Sequence, residues 1–563
     1  MRIPVHREDL DEGLFHYQRI SFTLDRNTEV FAMDEEQPLL QQEANGEQSK
    51  IHNGQQKLSK EGAPDKITFL TLLTGAFISM ACESVVLSTH EQIASTFNAL
   101  PLGSWLLTSY AMGYSIVLPV YGNLIDIYGC KNMLLIAYGI FAVGCTITGC
   151  GPSIYAVLAG RFITSFGGAG MIDGVSILLN NTTGLSQMAV LRTYFNLGMM
   201  LGVSCGAPLG GLLMDLVGWR WSFMIQAPIA LLCLFIVAVR LNPNSLKQED
   251  ISNIHNSWLA ELAKIDYLGY ALQLSSLGCG VYGLYLTTIS GTQQPLFQVA
   301  VYVGFVTLMI LFITVELYTT KSPIFPIRSV LQNGVGRIYL AQTLLNFCQF
   351  AFLSNLSGFF IYTVDSSNTA ASIPLAFSCA GVILGTFAAG FQVKRLKSCK
   401  ATSLISALFA LVGSALIFFR WRYAHLRWEI GYTVILCAGL GGLSSTQYIS
   451  LAGRTLGKSA SIITSYHVCQ QIGAIVGNTL PAGLLLRNFR NKLVESLGNS
   501  PEAKETITKL LKDSRFVSKL KGSMQEQVRS AFLTSFPVIP ALCAASVTVY
   551  ILLELGLNDV YVE

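Results

Sequence analysis

Three charged residues stand inside long apolar runs of the chain: Glu83, Arg161 and Asp173. An ionisable side chain at membrane depth is costly and faces a cavity, a partner or the water at a span's end. A carboxylate there can take a proton or replace the hydration of a cation. Glu83 is the first candidate for that work. Asp173 reads either as a second cavity acid or as a cap on its run's end, in contact with water. Arg161 reads either as a cation that tunes a nearby acid, or as one satisfied by backbone carbonyls or snorkelling to the interface. Aromatic faces also hold cations, and Tyr110 and Tyr114 would form such a wall. His467 is of a type that can switch charge near neutral pH, but a lone His on an apolar face is expected to be a hydrogen-bonded packing residue. No nucleophile–base pair, metal-ligand spacing or cofactor fingerprint accompanies these residues. No catalytic residue, metal or cofactor is therefore expected. No G-x-x-x-x-G-K-[ST] run is present, so any transport would draw on an ion gradient.

The medium that positions them is a bilayer. Only 12% of the 563 residues are charged, 52% are hydrophobic, and mean hydropathy is +0.50. Soluble domains carry about 25% charged residues, and disordered or disulfide-stapled chains are excluded by the same figures. Of 70 charged residues, 21 lie in 1–66 and 15 in 487–530, so an acid or Arg left inside the apolar body becomes a stronger suspect. The net charge of +4 and the lack of a basic aromatic stripe exclude nucleic acid as a partner. The thirteen cysteines mostly sit in apolar runs and read as small buried residues.

A span needs roughly 20 apolar residues. Fourteen such runs are predicted: 67–88, 104–124, 132–151, 154–178, 194–217, 222–241, 267–289, 296–318, 335–358, 372–393, 401–420, 430–451, 460–485 and 532–556. The even number puts both termini on one side. Loops with Lys394, Arg395, Lys397 and Lys400, with Lys321, Arg328 and Arg337, and with Arg454 and Lys458 fall on that side, which is expected to be cytosolic. Arg420, Arg422 and Arg427 disagree. Residues 1–66 read as a disordered cytosolic tail with no apolar leader before Ile67, so the first span is expected to act as its own insertion signal. Within 487–530, Ile507, Leu510, Leu511, Phe516 and Leu520 recur at helical spacing, which predicts amphipathic helices on the outer face or in the interface.

Three motifs add detail. Between spans two and three the chain reads Gly122-Asn-Leu-Ile-Asp126-Ile-Tyr-Gly129-Cys130-Lys131. Its glycines would let helix ends approach, and Asp126 could pair with a helix dipole or a cation. Span four holds Arg161-Phe-Ile-Thr-Ser165-Phe-Gly167-Gly168-Ala-Gly170. Span five repeats glycine every four residues at Gly198, Gly202 and Gly206, followed by Pro208, Gly210 and Gly211. That spacing makes a flat face for close helix contact, and Pro208 bends the helix. Trp219-Arg220-Trp221-Ser222-Phe223 and Gln226-Ala227-Pro228 come next.

These motifs resemble those of the major facilitator superfamily: the G-x-L-a-D-x-x-G-R-K cytosolic latch, the span-four Arg motif and the span-five antiporter motif. The Trp-Arg-Trp run resembles a signature of its fourteen-span drug:proton antiporters. Within that branch the chain looks most like fungal vacuolar basic amino acid permeases. The resemblance implies an all-α polytopic membrane fold of two six-helix halves plus two extra central helices. It divides the chain into a tail (1–66), an N-terminal half (67–241), a linker (242–266), the extra pair (267–318) and a C-terminal half (319–563). It implies a proton-coupled antiporter of the vacuolar membrane carrying a small cationic substrate, basic amino acids. A plasma-membrane exporter of drugs or organic cations is the alternative, and a non-transporting receptor a further one. The departures are plain. Cys130 replaces the latch Arg and leaves Lys131 alone, Ser165 replaces a glycine, the R-x-R pair after span four is missing, and Gln470 stands where relatives often carry Arg. Cys82 takes the position of the family's span-one Asp, with Glu83 one residue, or about 100° of helix, further on. In the tail, Asp34-Glu35-Glu36-Gln37-Pro38-Leu39-Leu40 resembles an acidic dileucine sorting signal. Glu35, Leu39 and Leu40 would then be read by a clathrin adaptor complex and direct the protein to a vacuole or lysosome-like compartment.

Overall fold

The structure, a computed structural model, describes residues 65–182, 185–241, 266–288, 295–318, 325, 330, 334–364, 368–422, 427–454, 460–498, 500–520, 522–557 and 559. The tail with Glu35, Leu39 and Leu40 and nearly all of the 242–266 linker lie outside the described residues, as does the side chain of Asp126.

Backbone groups in lipid must be satisfied within the chain, so apolar runs fold as helices. The helices are α1 (Lys66–Thr96), α2 (Trp105–Tyr128), α3 (Cys130–Cys150), α4 (Ile154–Thr182), α5 (Leu185–Leu216), α6 (Trp219–Met224) and α7 (Gln226–Arg240). They continue with α8 (Tyr267–Thr288), α9 (Pro295–Tyr318), α10 (Val335–Val364), α11 (Asn368–Leu396), α12 (Cys399–Arg420) and α13 (Gly431–Arg454). The last are α14 (Ala460–Leu497), α15 (Pro501–Lys512), α16 (Ser523–Ser535) and α17 (Val538–Leu555). With α6 and α7 as one broken passage, and α15 and α16 set aside, these fill the fourteen expected runs. Eleven stretches are long and apolar enough to cross a membrane by length and composition. Helices α2, α8 and α14 fall outside that set; α14 is diluted by His467, Gln470, Gln471 and Asn478.

Helix α1 packs along α5, α2 and α3 pack on α4, and α3 packs on α7. The same relations recur later: α10 along α14, α11 and α12 on α13, and α12 on α17. The chain therefore contains two six-helix halves of like design. They meet along two seams, α2 against α14 and α5 against α11. Pro119, Pro208, Pro374 and Pro481 lie inside these four helices. Each removes a backbone hydrogen bond and bends its helix. The pair α8 and α9 pack on each other, with α8 flanking the seam of α2 and α14. Helix α9 turns Leu296, Val303 and Ile310 outward, as a lipid-facing helix does.

The end of the bundle where α1 finishes is called distal here, and the end where it starts proximal. At the proximal end the C-terminus of α17 is capped by cations. Lys400 Nζ donates to the carbonyls of Leu555 and Leu557 at 3.0 and 2.9 Å, and Arg337 donates to Gly556. Positive charge at a helix C-terminus is favourable. At the distal end one of the discordant arginines is neutralised. Arg420 pairs with the buried Glu429 at 2.7 Å, and Arg422 stacks on Phe418 at 4.4 Å.

One boundary differs from expectation. The segment taken as 487–530 begins within α14, which continues unbroken to Leu497. Beyond it, Ile507 and Leu510 are buried, and Leu511, Phe516 and Leu520 pack against the core. Ser514 is hydrogen-bonded to Ser95 of α1 at 3.0 Å. This segment is thus docked through its apolar positions on the distal end of the bundle.

Candidate functional site

Residues from α1, α2 and α4 build a polar track through the N-terminal half. Arg161, on α4, is fully buried. Its Nη1 donates to the Cys82 carbonyl at 3.4 Å and approaches Cys82 Sγ at 3.0 Å, and Nε donates to the Leu106 carbonyl at 3.4 Å. Its guanidinium lies 4.5 Å from the Tyr110 ring centre and 5.8 Å from that of Phe223. Nη2 has no hydrogen-bond partner. Backbone carbonyls therefore satisfy part of Arg161, but not all of it. No carboxylate pairs with it among the described residues. A buried cation missing a counter-ion is expensive, and the thiol of Cys82 sits where an acid would neutralise it.

Glu83 is only partly buried and lies within electrostatic reach of Arg161 and Tyr110. One residue on from Cys82, Glu83 makes no hydrogen bond to Arg161 among the described residues. Asp173 is likewise partly accessible and within electrostatic reach of Tyr114. Its capping alternative does not fit, because α4 continues to Thr182, nine residues beyond it.

Tyr110 and Tyr114 differ from a cavity wall. Both are buried, with ring centres 6.3 Å apart. The Tyr110 hydroxyl points at Ser79 of α1 and fills the space above Gly168 of α4. Tyr110 is thus a wedge among three helices that supports Arg161 from below. Tyr114 packs with Val468 of α14 and so touches the seam. His467 is hydrogen-bonded to Gln470 Oε1 at 2.7 Å, as a packing histidine would be.

The span-five motif has one structural task. A side chain at Gly198 would strike Leu73, at Gly202 the carbonyl of Phe77, and at Gly206 the carbonyl of Ala81 at 2.7 Å. At Gly210 it would meet Val85 at 3.0 Å. Gly211 is buried beside it, and Pro208 lies within the same stretch of α5. Ser84 and Ser88 of α1 seal the contact by donating to the carbonyls of Val203 at 2.5 Å and Ala207 at 2.9 Å. The motif therefore fixes α1, and with it Cys82 and Glu83, against α5. The second half repeats the device at Gly473 and Gly477, which lie on the Thr343 and Phe347 backbone of α10.

The gate motif is only partly a close contact. A side chain at Gly122 would meet nothing within 4 Å, so the expected helix approach is not made there. Gly129 ends α2 with φ +82°, a conformation that favours glycine. Lys131 donates to the Ala238 carbonyl near the end of α7 at 2.8 Å, and Cys130 Sγ to the Gly174 carbonyl at 3.1 Å. With Cys130 in place of Arg, these contacts stay within one half.

Phe223 was not singled out as a site residue. The Trp219-Arg220-Trp221-Ser222-Phe223 run supplies it, with Trp219 buried on Phe97 and Phe223.

A paired six-helix fold with charged residues buried between its helices defines a polytopic secondary transporter rather than an enzyme. Residues 72–478 match the Major Facilitator Superfamily, and the chain belongs to that superfamily. It is similar to the vacuolar membrane amino acid uptake transporter fnx2 of Schizosaccharomyces pombe, with 26% identity over 475 residues, covering 82% of this chain and 79% of that protein. It is also similar to vacuolar basic amino acid transporter 2 of Saccharomyces cerevisiae, with 25% identity, covering 77% of this chain and 93% of the relative. A third relative is the multidrug resistance protein fnx1 of S. pombe, with 24% identity, covering 86% of this chain and 91% of the relative. Among solved structures, a bacterial homologue of the human lysosomal transporter Spinster shares the fold, with TM-score 0.57 and 13% identity over 87% of this chain and 96% of that one.

Proposed function

We propose that the chain is a proton-coupled antiporter that moves basic amino acids out of the cytosol into an acidic vacuolar or lysosome-like lumen. The observation that carries this reading is Glu83, a partly buried carboxylate within electrostatic reach of a buried Arg161 that has no acid partner among the described residues. An ammonium or guanidinium group can replace water at Glu83, and a proton arriving from the acidic side would displace it. Arg161 biases that exchange through its charge, and Asp173 offers a second carboxylate along the same track. The basic loops support a cytosolic proximal end with both termini on that side. The two halves would rock about the seams that carry the prolines, exposing Glu83 to one side at a time. Relatives named as vacuolar basic amino acid transporters support the substrate class. The multidrug relative favours a second reading, export of organic cations at the plasma membrane.

The tail separates the two. Loss of the chain should lower vacuolar lysine and arginine several-fold, measured as amino acid content of isolated vacuoles. Leu39→Ala with Leu40→Ala should shift most of the tagged protein to the cell surface, seen by microscopy. Unchanged vacuolar amino acids, with wild-type protein already at the surface, would favour the exporter.

A further inference from the structure

The distal end holds another partly buried carboxylate, with one shielded oxygen. Glu91 lies on α1 eight residues beyond Glu83, about 12 Å along the helix. Its Oε2 is shielded from solvent and has no hydrogen-bond partner. The hydroxyl of Tyr362, on α10 of the other half, is in the same condition. Both groups line one cavity of about 40 Å³.

The cavity lies between the halves. Its walls come from α1, the turn that leads into α2, α10 and α14, and Phe532 of α16 closes over it. The backbone of Gly358 on α10 comes up against the Glu91 carboxyl, where a side chain would collide with Oε1. One residue away, Ser357 donates to the Ser88 carbonyl at 3.1 Å and ties the halves together.

Size and charge decide what the site takes. The volume suits one or two waters and leaves no room for an amino acid. Facing groups are His90 on α1, whose Nδ1 lies 3.1 Å from the Val86 carbonyl, Tyr362 on α10, and Asp513 within electrostatic reach of Tyr362. Asn355 uses its amide nitrogen on Ala351 and Ser354. Helices α14 and α16 present Leu485, Leu486, Phe489 and Phe532. Among the described residues, no lysine or arginine lines the cavity. A shielded carboxyl oxygen with neither a cation nor a hydrogen-bond donor beside it is costly to hold as a charge.

We infer that Glu91 is a proton-binding site at the distal seam, sealed when the halves meet and opened to the distal side when they part. Glu91 binds the proton there, Tyr362 faces the same cavity, and Gly358 lets the backbone close over the pair. The inference rests on the antiport reading for its role, but occupancy of the site can be measured without transport.

Infrared spectra of the purified protein at neutral pH should contain a protonated-carboxyl band that Glu91→Gln removes. Tyr362→Phe, which keeps the carboxyl, should leave that band and shift it. A band that persists in Glu91→Gln overturns the assignment. In liposomes, Glu91→Gln should lose gradient-driven lysine accumulation by at least ~10-fold while lysine–lysine exchange without a gradient stays within about twofold of wild type. Full accumulation in the variant, or loss of exchange in monodisperse protein, would also overturn it. Wild-type protein indifferent to a pH gradient but carrying the Glu91 band would instead sink the antiport reading alone.

Discussion

Glu83→Gln is expected to abolish proton-driven uptake of lysine and arginine into vacuolar vesicles. Glutamine keeps the size and polarity of the side chain and removes only the charge. The structure gives Glu83 no hydrogen-bonded ion pair among the described residues, so the change breaks no direct contact, although it removes a negative charge within electrostatic reach of Arg161. The substrate loses its charge-assisted partner. Such an interaction is worth about 1.5–3 kcal/mol, or roughly 10–150-fold in affinity. Coupling fails as well, since the amide takes no proton in the relevant range. Initial uptake rates at limiting lysine check this, with the yield of folded protein as control. Wild-type uptake by the variant would remove Glu83 from the site.

The second large effect is structural and separates glycines that look alike in sequence. Gly202→Ala is expected to destabilise the protein, and Gly202→Val to abolish the folded form. A side chain at Gly202 runs into the backbone carbonyl of Phe77, so α1 and α5 must move apart. Overpacking of that kind costs about 1–3 kcal/mol for small insertions. The displaced helix carries Cys82 and Glu83, so transport should fall even where folding survives. Gly122→Ala is expected to be silent, because a side chain there meets nothing within 4 Å. Gly129→Ala falls between, at about 1–3 kcal/mol, because φ +82° with ψ 150° is strained for other residues. Thermal unfolding of detergent-purified variants and vesicle uptake would rank Gly202, Gly129 and Gly122 in that order.

The helices were legible because lipid imposes one simple rule: an apolar run must close its own hydrogen bonds. The fourteen runs were placed on that basis, and the glycine spacing of span five pointed to a packing face that the structure puts against α1. Helix ends were less legible, since a helix can continue past the apolar run into polar sequence. Ending span one at residue 88 left His90 and Glu91 outside the bilayer, whereas α1 continues to Thr96, buries His90 and shields one carboxyl oxygen of Glu91. Ending span four at 178 likewise brought Asp173 too near an end. Side-chain direction was least legible. Tyr110 and Tyr114 suited a cation wall by type, but only the packing of α1, α2 and α4 shows them turned inward. The second glycine face at Gly473 and Gly477 was present in sequence as a four-residue repeat, and the parallel with span five would have revealed it.

Proton-coupled movement of a basic amino acid is tested most directly with purified protein in liposomes that have an imposed pH gradient, acidic on the side of the distal end. Labelled lysine should accumulate in the acidic compartment, stop accumulating when a protonophore collapses the gradient, and fail to accumulate with Glu83→Gln. Lysine movement that is the same with and without the gradient would contradict the account.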